Sequence, residues 1–364
     1  MTEREDRTCG VRAHIGSFTS AGGRGITTAA VDARTGALAV LGVTGGIADP
    51  SYLALGRGGR RLHAVSETER GAVRAFAVDG RGLPRPEAPA VPVGAAGPTH
   101  LAVAGEWLLT ANYTSGSVSV LPADGTADGT ATGPTAVLRH EGAGPDPERQ
   151  AGPHAHQVVP DPSGRRFLSV DLGTDSIRVC TLDPATGAAA LHAETALRPG
   201  SGPRHLAFHP GGGLLYVLHE LEPLLTVCRW DADRGHVEPV REVPVAPPAA
   251  PGAVRAYPSA IVAAPDGRFL WAAVRGTDTI AVFALGAGPD AGPDAGPERP
   301  RYVGGVSCGG HWPRDLALDP AGHRLYAANE RSGDVTWFDV DPDSGLPRRA
   351  GSLAVPAATC VVLG

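Results

Sequence analysis

The chain contains 364 residues and carries a net charge of −6 at pH 7, and its 32 strongly basic residues are all arginine. The absence of lysine excludes Schiff-base catalysis and a phosphate-loop lysine, and the lack of a basic run argues against nucleic-acid binding. Five cysteines without a C-x-x-C pair indicate neither a zinc site nor a disulfide framework.

The first ten residues, MTEREDRTCG, are charged and lack the apolar core of a secretion signal, and no apolar run of 18 residues occurs elsewhere. We therefore expect a cytoplasmic protein without a membrane partner. A hydrophobic content of 42% is sufficient for a packed core.

Short, mostly apolar segments that each begin with proline recur along the chain. They start at Pro50, Pro98, Pro153, Pro203, Pro258, Pro313 and Pro356. Successive starts are 48, 55, 50, 55, 55 and 43 residues apart. A repeat of this length indicates stacked or radial units, so we expect one domain over residues 1–364 rather than the two that length alone would suggest.

Each repeat contains four short apolar runs, separated by turns such as DPSG, APDG and DPAG. Four short strands per unit predict the blade of an all-β propeller, and no useful stretch has the apolar spacing of a helix. The chain ends in a first strand, PAATCVVL, whereas Val11 to Thr44 supplies only strands two to four. We therefore predict seven blades of four antiparallel strands, with blade 1 closed by pairing of the terminal strands.

Two low-complexity stretches interrupt the repeat, at residues 123–135 and 286–300. Both are rich in Gly, Pro, Ala and Asp and fall late in their blades. We expect them to be mobile surface loops without a function.

Reactive side chains should collect at one rim of the propeller, because the first strand of an antiparallel blade begins where the second one ends. In blade 4, His156 occupies a position that is Leu or Ile in five other blades. A repeat that departs from its own pattern indicates a requirement other than packing. On the same rim we expect Arg204, Glu220 and Arg275.

Further polar residues share these strand ends. Those that we expect to bind substrate are His154, Asn112, Tyr113, Asp171, Arg314 and Asn329. His100 and His205 occupy equivalent positions and are interpreted as a repeated structural hydrogen bond. Asp161, Asp266 and Asp319 belong to turns.

The segments ERQAGPHAHQVV, GSGPRHLAFHPGGGLLYVLHEL, LTANYTSGSVSV and RGTDTIAVF resemble the lactonase family of seven-bladed propellers, which includes 6-phosphogluconolactonases and muconate-lactonising cyclases. The resemblance covers nearly the whole chain. In the cyclase branch the proposed site uses a histidine, two arginines and a glutamate, which correspond here to His156, Arg204, Arg275 and Glu220, with His154 as a rival for the histidine.

The resemblance implies hydrolysis of an anionic lactone without a cofactor. Glu220 would activate water, His156 would protonate the departing ring oxygen, and Arg204 and Arg275 would hold the substrate's anion. Three alternatives stay open at this point: ring closure by a cycloisomerase, a binding platform without chemistry, and a divalent ion held by His154, His156, Asp171 and Glu220. A closed propeller without sheet edges favours a monomer.

Overall fold

The computed structural model describes residues 10–246, 252–286 and 296–364. Blade 1 contains β1 (Arg12–Ser17), β2 (Ile26–Val31) and β3 (Leu38–Thr44), and blade 2 contains β4 (Leu53–Leu55), β5 (Arg61–Ser66), β6 (Ala72–Val78), β7 (Pro84–Pro86) and β8 (Val91–Pro92). Blade 3 contains β9 (Pro98–Ala104), β10 (Trp107–Asn112), β11 (Ser117–Pro122) and β12 (Ala136–Arg139), and blade 4 contains β13 (Ala155–Pro160), β14 (Arg166–Asp171), β15 (Ser176–Leu182) and β16 (Ala189–Ala196). Blade 5 contains β17 (Pro203–Phe208), β18 (Leu214–His219), β19 (Leu224–Asp231) and β20 (His236–Pro244). Blade 6 contains β21 (Tyr257–Ala263), β22 (Phe269–Arg275), β23 (Thr279–Ala284) and β24 (Arg301–Ser307), and blade 7 contains β25 (Pro313–Leu318), β26 (Arg324–Asn329), β27 (Asp334–Val340) and β28 (Pro347–Ala354), with β29 (Ala358–Leu363) at the C-terminus.

The seven sheets form the predicted propeller. Within each blade the strands pair in chain order and antiparallel, and in blade 2 both β7 and β8 pair with β6. The innermost strands β4, β9, β13, β17, β21, β25 and β29 contact one another in a closed ring. The outer strands alternate half-buried and exposed residues, as in β16, because one of their faces meets water.

The closure of blade 1 is confirmed. β29 lies innermost in the order β29-β1-β2-β3, with Ala13 opposite Leu363 and Ile15 opposite Val361. Gly16 marks a close approach at this junction, since a Cβ atom there would lie 2.3 Å from the carbonyl oxygen of Pro50. The terminal strand thereby removes the sheet edge that an open blade would present.

The hydrophobic core lies between neighbouring blades. Between blades 5 and 6, for example, Tyr216 and Leu218 pack with Leu270 and Phe283, all fully buried. Each blade is thus apolar on both faces and cannot be stable alone.

The three turn aspartates are confirmed. Asp161 accepts a hydrogen bond from the backbone N–H of Arg166, and Asp319 accepts the equivalent bond from Arg324. Asp266 accepts one from the N–H of Arg268, two residues later. These carboxylates close the tight connections between first and second strands.

The first insert differs from the expected mobile loop. Residues Ala123–Asp128 form the short helix α1, which buries Ala123, Thr126 and Ala127 and contacts β6 and β11. Ala123 and Ala127 are four residues apart, so they lie on one side of the helix, and this side is buried. The expectation for the second insert falls largely on residues 287–295, which lie outside the described residues. Within the described ranges, no helix is long and apolar enough to cross a bilayer.

Three buried histidines contact one another along the propeller axis. The ring of His205 lies 5.7 Å from that of His100 and 5.4 Å from that of His156, and Tyr52 stacks on His100 at 4.0 Å. No hydrogen bond joins His100 or His205 to another described side chain, so the structural hydrogen bond predicted for this pair is replaced by ring packing. Burial, reinforced by the charge of Arg204, lowers the pKa of His100 to about 3 and those of His156 and His205 well below 6.5.

The terminal strand gives the first testable prediction. Removing residues 356–364 leaves β1 without its inner partner and exposes the edge of blade 1 at the axis. We expect the truncated protein to aggregate or to melt at a clearly lower temperature, measured by light scattering and circular dichroism. A truncated protein that melts like the full chain would contradict the closure.

The axial histidines predict how stability depends on pH. Their pKa values are lower in the folded chain than the 6.5 of the unfolded chain, so the unfolded state binds more protons between those values. Stability should be complete above about pH 6.5 and should decrease as the pH falls toward the folded pKa values. Asp315 and Glu67 act in the opposite sense, because burial raises the pKa of Asp315 to about 7 and also raises that of Glu67. These two carboxyl groups oppose the three axial imidazoles, whose effect is reinforced by the lowered pKa values of His14, His63 and His219.

We therefore expect the melting temperature to fall between about pH 7 and about pH 5. His205→Gln should flatten this dependence, since one fewer proton is taken up on unfolding. His192→Gln, on the exposed face of β16, is the matched control and should leave the dependence unchanged. If the melting temperatures of the original protein, His205→Gln and His192→Gln depend on pH to the same extent, the axial rings do not control this dependence.

Candidate functional site

The candidate residues occupy the rim where first strands begin and second strands end. Glu220 follows β18 directly, Arg275 ends β22, and Arg204 is the second residue of β17. His154 precedes β13 and Tyr113 follows β10. Blades 3, 4, 5 and 6 therefore supply neighbouring groups from one end of the molecule.

The carboxylate of Glu220 is bound by three guanidinium groups. Its Oε1 accepts a hydrogen bond from Arg149 at 2.7 Å. Its Oε2 accepts one from Nε of Arg204 at 2.9 Å and lies 2.7 Å from an Nη atom of Arg275. The structure thus brings together three of the four residues predicted to be catalytic, and adds Arg149.

The charge of Glu220 is fixed by this arrangement. The residue is only 5% exposed. Burial by itself would raise the pKa of the carboxyl group, but Arg275, Arg204 and Arg149 outweigh that effect and hold the pKa well below its usual range. A carboxylate with so little proton affinity is a weak general base.

The two arginines predicted to clamp the substrate use their donors within the protein. Besides Glu220, Arg204 donates to the carbonyl oxygen of Ser259, and Arg275 donates from Nε to the carbonyl oxygen of Tyr257 at 3.2 Å. Burial and the neighbouring Arg275 lower the pKa of Arg204 to about 9, which leaves it charged at neutral pH. Both groups hold Glu220 and the start of β21 in place.

Arg149 is the functional candidate that sequence reasoning missed. It lies on the loop between β12 and β13, and its Nη2 reaches both Glu220 and the hydroxyl of Tyr113, the latter at 3.5 Å. Its side chain is 36% exposed, in contrast to Arg204 at 2%. The loop lies outside the repeat, so no alignment of blades could single this residue out.

His154 is held in a defined orientation. Its Nδ1 lies 2.9 Å from the carbonyl oxygen of Tyr113, which can only accept, so Nδ1 carries the proton of the neutral ring and Nε2 keeps a free lone pair. The imidazole stacks on the ring of Tyr113 at 4.4 Å. Tyr113 also meets the edge of His156 at 5.6 Å, so both histidines adjoin the same phenol.

His156 lies deeper than His154. It is 6% exposed, and its Nδ1 has no hydrogen-bond partner among the described residues. Because its pKa is lowered by burial and then by Arg204, Arg314 and Arg275, the ring is neutral at neutral pH. An imidazole in that state lacks the extra proton that the predicted acid role requires.

Asp171 supports His154 from within blade 4. Its Oδ1 accepts hydrogen bonds from the backbone N–H groups of His154 and Gly173, and its Oδ2 lies 2.6 Å from Nδ1 of His140. Burial would raise the pKa of Asp171, but the bonds from His140 and His154 lower it. Asp171, expected to bind substrate, therefore orients the loop that carries His154.

The structure corrects the placement of Asn112 and Asn329. Both are fully buried inside their own blades. The amide of Asn112 donates to the hydroxyls of Ser117 and Ser119, and that of Asn329 donates to Thr336 at 3.1 Å. These side chains join second to third strands and present no surface to a substrate.

Arg314 lies on the same rim in blade 7. It donates to Glu330 at 3.2 Å, lies 3.6 Å from Glu67, and covers the ring of Phe18 at 4.9 Å. Its charge is thus compensated by two carboxylates.

The alternative metal site is not assembled. Across residues 10–246, 252–286 and 296–364, no three His, Cys, Asp or Glu side chains form a group that could hold a metal ion. Asp171 faces His140 and backbone donors, and Glu220 faces arginines, so the two carboxylates named for a divalent ion are directed to other partners.

Comparison with known proteins agrees with this architecture. The family model described as lactonase, seven-bladed β-propeller, matches residues 12–363. A 6-phosphogluconolactonase of Bacillus subtilis is 31% identical over 96% of this chain and 97% of its own length, and one of Formosa agariphila is 28% identical over 91% and 93%. The structure of a periplasmic gluconolactonase of Pseudomonas aeruginosa superposes with a TM-score of 0.86 at 28% identity, covering 97% of this chain and 98% of that one. The chain therefore belongs to the lactonase family of seven-bladed β-propellers.

Proposed function

We propose that the protein hydrolyses an anionic, sugar-derived lactone, with 6-phosphogluconolactone as the first substrate to test. The observation that carries the proposal is the pairing of an oriented histidine, His154, with a cationic cluster around Glu220. Relatives named 6-phosphogluconolactonase and gluconolactonase support this substrate class.

Exposure divides the rim residues into two groups. Arg149, His154 and Tyr113 are half-buried and can touch a substrate, whereas Glu220 and Arg204 lie behind them. We therefore assign Glu220 and Arg204 a positioning role, in place of the base and clamp roles expected from the sequence.

The accessible groups suffice for ring opening. Nε2 of His154 removes a proton from water while the water oxygen adds to the lactone carbonyl carbon. The carbonyl oxygen becomes an oxyanion, which Arg149 stabilises with the N–H groups that Glu220 does not use. The tetrahedral intermediate then collapses, the bond between the carbonyl carbon and the ring oxygen breaks, and the imidazolium of His154 returns its proton to that oxygen.

The proposal also includes the location, the oligomeric state and the partners of the protein. We propose a cytoplasmic monomer that acts on a small molecule and binds neither nucleic acid nor membrane. The closed ring of blades and the free, buried state of Cys180, Cys228, Cys308 and Cys360 support it. A muconate-type cycloisomerase would use the same cationic groups, so a muconate belongs in the same assay.

The base assignment is tested by substitution. His154→Gln removes the imidazole lone pair that accepts the proton of water, so we expect kcat to fall about 10²–10⁴-fold. General-base catalysis predicts that kcat/KM of the original protein rises with pH, and this rise should disappear in the variant. The assay follows lactone loss continuously across pH, with His192→Gln as a control on an outer strand.

Glu220→Gln distinguishes the two candidates for the base. If Glu220 only positions arginines, this variant is less stable but keeps the pH-dependent rise. Loss of that rise in Glu220→Gln and its retention in His154→Gln would restore Glu220 as the base.

Metal removal gives a further test. Because the two possible carboxylate ligands, Asp171 and Glu220, are directed to other groups of the protein, we expect exhaustive chelation to leave lactone hydrolysis unchanged. Activity that is lost on chelation and restored by a divalent ion would favour a metal-activated water at His154, His156, Asp171 and Glu220.

A further inference from the structure

We propose that Arg331 and Arg255, which lie over the neighbouring rings of Trp312 and Tyr257, form a subsite for the phosphate group of a phosphorylated lactone. This inference rests on the proposed function. It places the substrate's anion on residues other than Arg204 and Arg275.

The subsite adjoins the Glu220 cluster directly. The guanidinium of Arg275, which contacts Glu220, lies 5.4 Å from the centroid of the Trp312 ring. The guanidinium of Arg331 lies 3.4 Å from the same centroid. Arg331 and Arg275 therefore contact the same indole ring, and Arg275 belongs to the Glu220 cluster.

Arg255 lies over the neighbouring ring. Its guanidinium lies 5.0 Å from the centroid of the Tyr257 ring, and that ring lies 6.0 Å from Trp312. Arg255 also donates to the carbonyl oxygen of Leu221, the residue after Glu220, at 3.0 Å. Each of the two neighbouring rings thus contacts an exposed guanidinium group.

Arg331 and Arg255 differ from the other rim arginines because they have no carboxylate partner among the described residues and can bind a ligand. Arg204, Arg275 and Arg314 are each paired with glutamate. No described carboxylate lies within ion-pair distance of Arg331 or Arg255, and both side chains are exposed. An exposed guanidinium that stacks on an aromatic ring keeps its N–H edge free for a ligand.

Trp312 is held in an unfavourable backbone conformation. Its φ is 66°, in the left-handed region that bulky residues avoid. The conformation is fixed on both sides, because its N–H donates to Asp278 at 2.8 Å and its carbonyl accepts from the N–H of Glu330 at 3.1 Å. Strain held by such contacts is concentrated at ligand sites, and here it presents the indole to the rim.

The charge balance favours a phosphate. Five guanidinium groups surround Glu220 and the ring pair, those of Arg149, Arg204, Arg255, Arg275 and Arg331, whereas the carboxylates that contact this region are Glu220 and Asp278. Two guanidinium groups without a carboxylate partner suit the several oxygens of a phosphate dianion better than one carboxylate. In a phosphorylated sugar lactone the phosphate is at the opposite end of the carbon chain from the carbonyl, as two adjoining subsites require.

The test compares a phosphorylated with an unphosphorylated lactone. For Arg331→Gln we expect KM for 6-phosphogluconolactone to rise about 10- to 100-fold, the range for loss of a charge-assisted hydrogen bond, with kcat nearly unchanged. Kinetic constants for glucono-δ-lactone should stay as in the original protein. Arg268→Gln is the matched control, because Arg268 also lies over an aromatic ring, Phe269 at 5.5 Å, but in a turn on the opposite rim.

Binding is measured separately from turnover, by calorimetry with 6-phosphogluconate and with gluconate. Arg331→Gln and Arg255→Gln should each weaken binding of the phosphorylated acid alone. If the original protein hydrolyses neither lactone yet shows this selective loss, the proposed function fails and the subsite stands. If it hydrolyses both and Arg331→Gln affects the two lactones equally or not at all, the subsite is wrong and the proposed function stands.

Discussion

The mouth of the propeller depends on one carboxylate, that of Glu220. Its partners come from the loop before blade 4, from blade 5 and from blade 6, so a single side chain ties three units of the repeat together. Breaking a buried ion pair of this kind costs about 3–5 kcal/mol, because a charge is left without compensation. Without Glu220, three guanidinium groups would repel one another at a site where two of them are almost fully buried.

The repeat builds this site through the alternation of side chains along a strand. In blades 3, 5 and 7 the last residue of the second strand points into its own blade, where Asn112, His219 and Asn329 bond to hydroxyls of the third strand. The next residue, Tyr113 or Glu220, faces the mouth. Successive residues of an extended chain point to opposite sides. In a polar pair at such a strand end, the first residue therefore bonds within the blade and the second faces the mouth.

The same alternation explains how far the sequence could predict the site. Proline spacing and turn residues were sufficient for seven blades and for the terminal closure, because these depend on local chemistry repeated many times. The register also identified Arg204, Glu220 and Arg275, which occupy repeat positions. It could not separate Asn112 from Tyr113, since both are polar and adjacent.

Other features depend on contacts that no repeat position encodes. Arg149 reaches Glu220 from an irregular loop, and the tautomer of His154 depends on where one carbonyl group lies. The sequence likewise could not show that Arg204 and Arg275 use their donors on Glu220 and backbone oxygens. Charge pairing in a folded site is a property of distances, and only the side chains that remain unpaired are available to a substrate.

The excess of positive charge at this rim contrasts with the net charge of −6 of the whole chain. Converging guanidinium groups concentrate a local field that attracts an anion, whatever the overall charge. The same field helps to keep His156 neutral, after burial has done most of that work. A dianionic substrate would offset this field when it binds. On this reasoning the charge of the substrate contributes to catalysis by bringing the lactone to Arg149, which then faces the oxyanion formed when water attacks the carbonyl carbon.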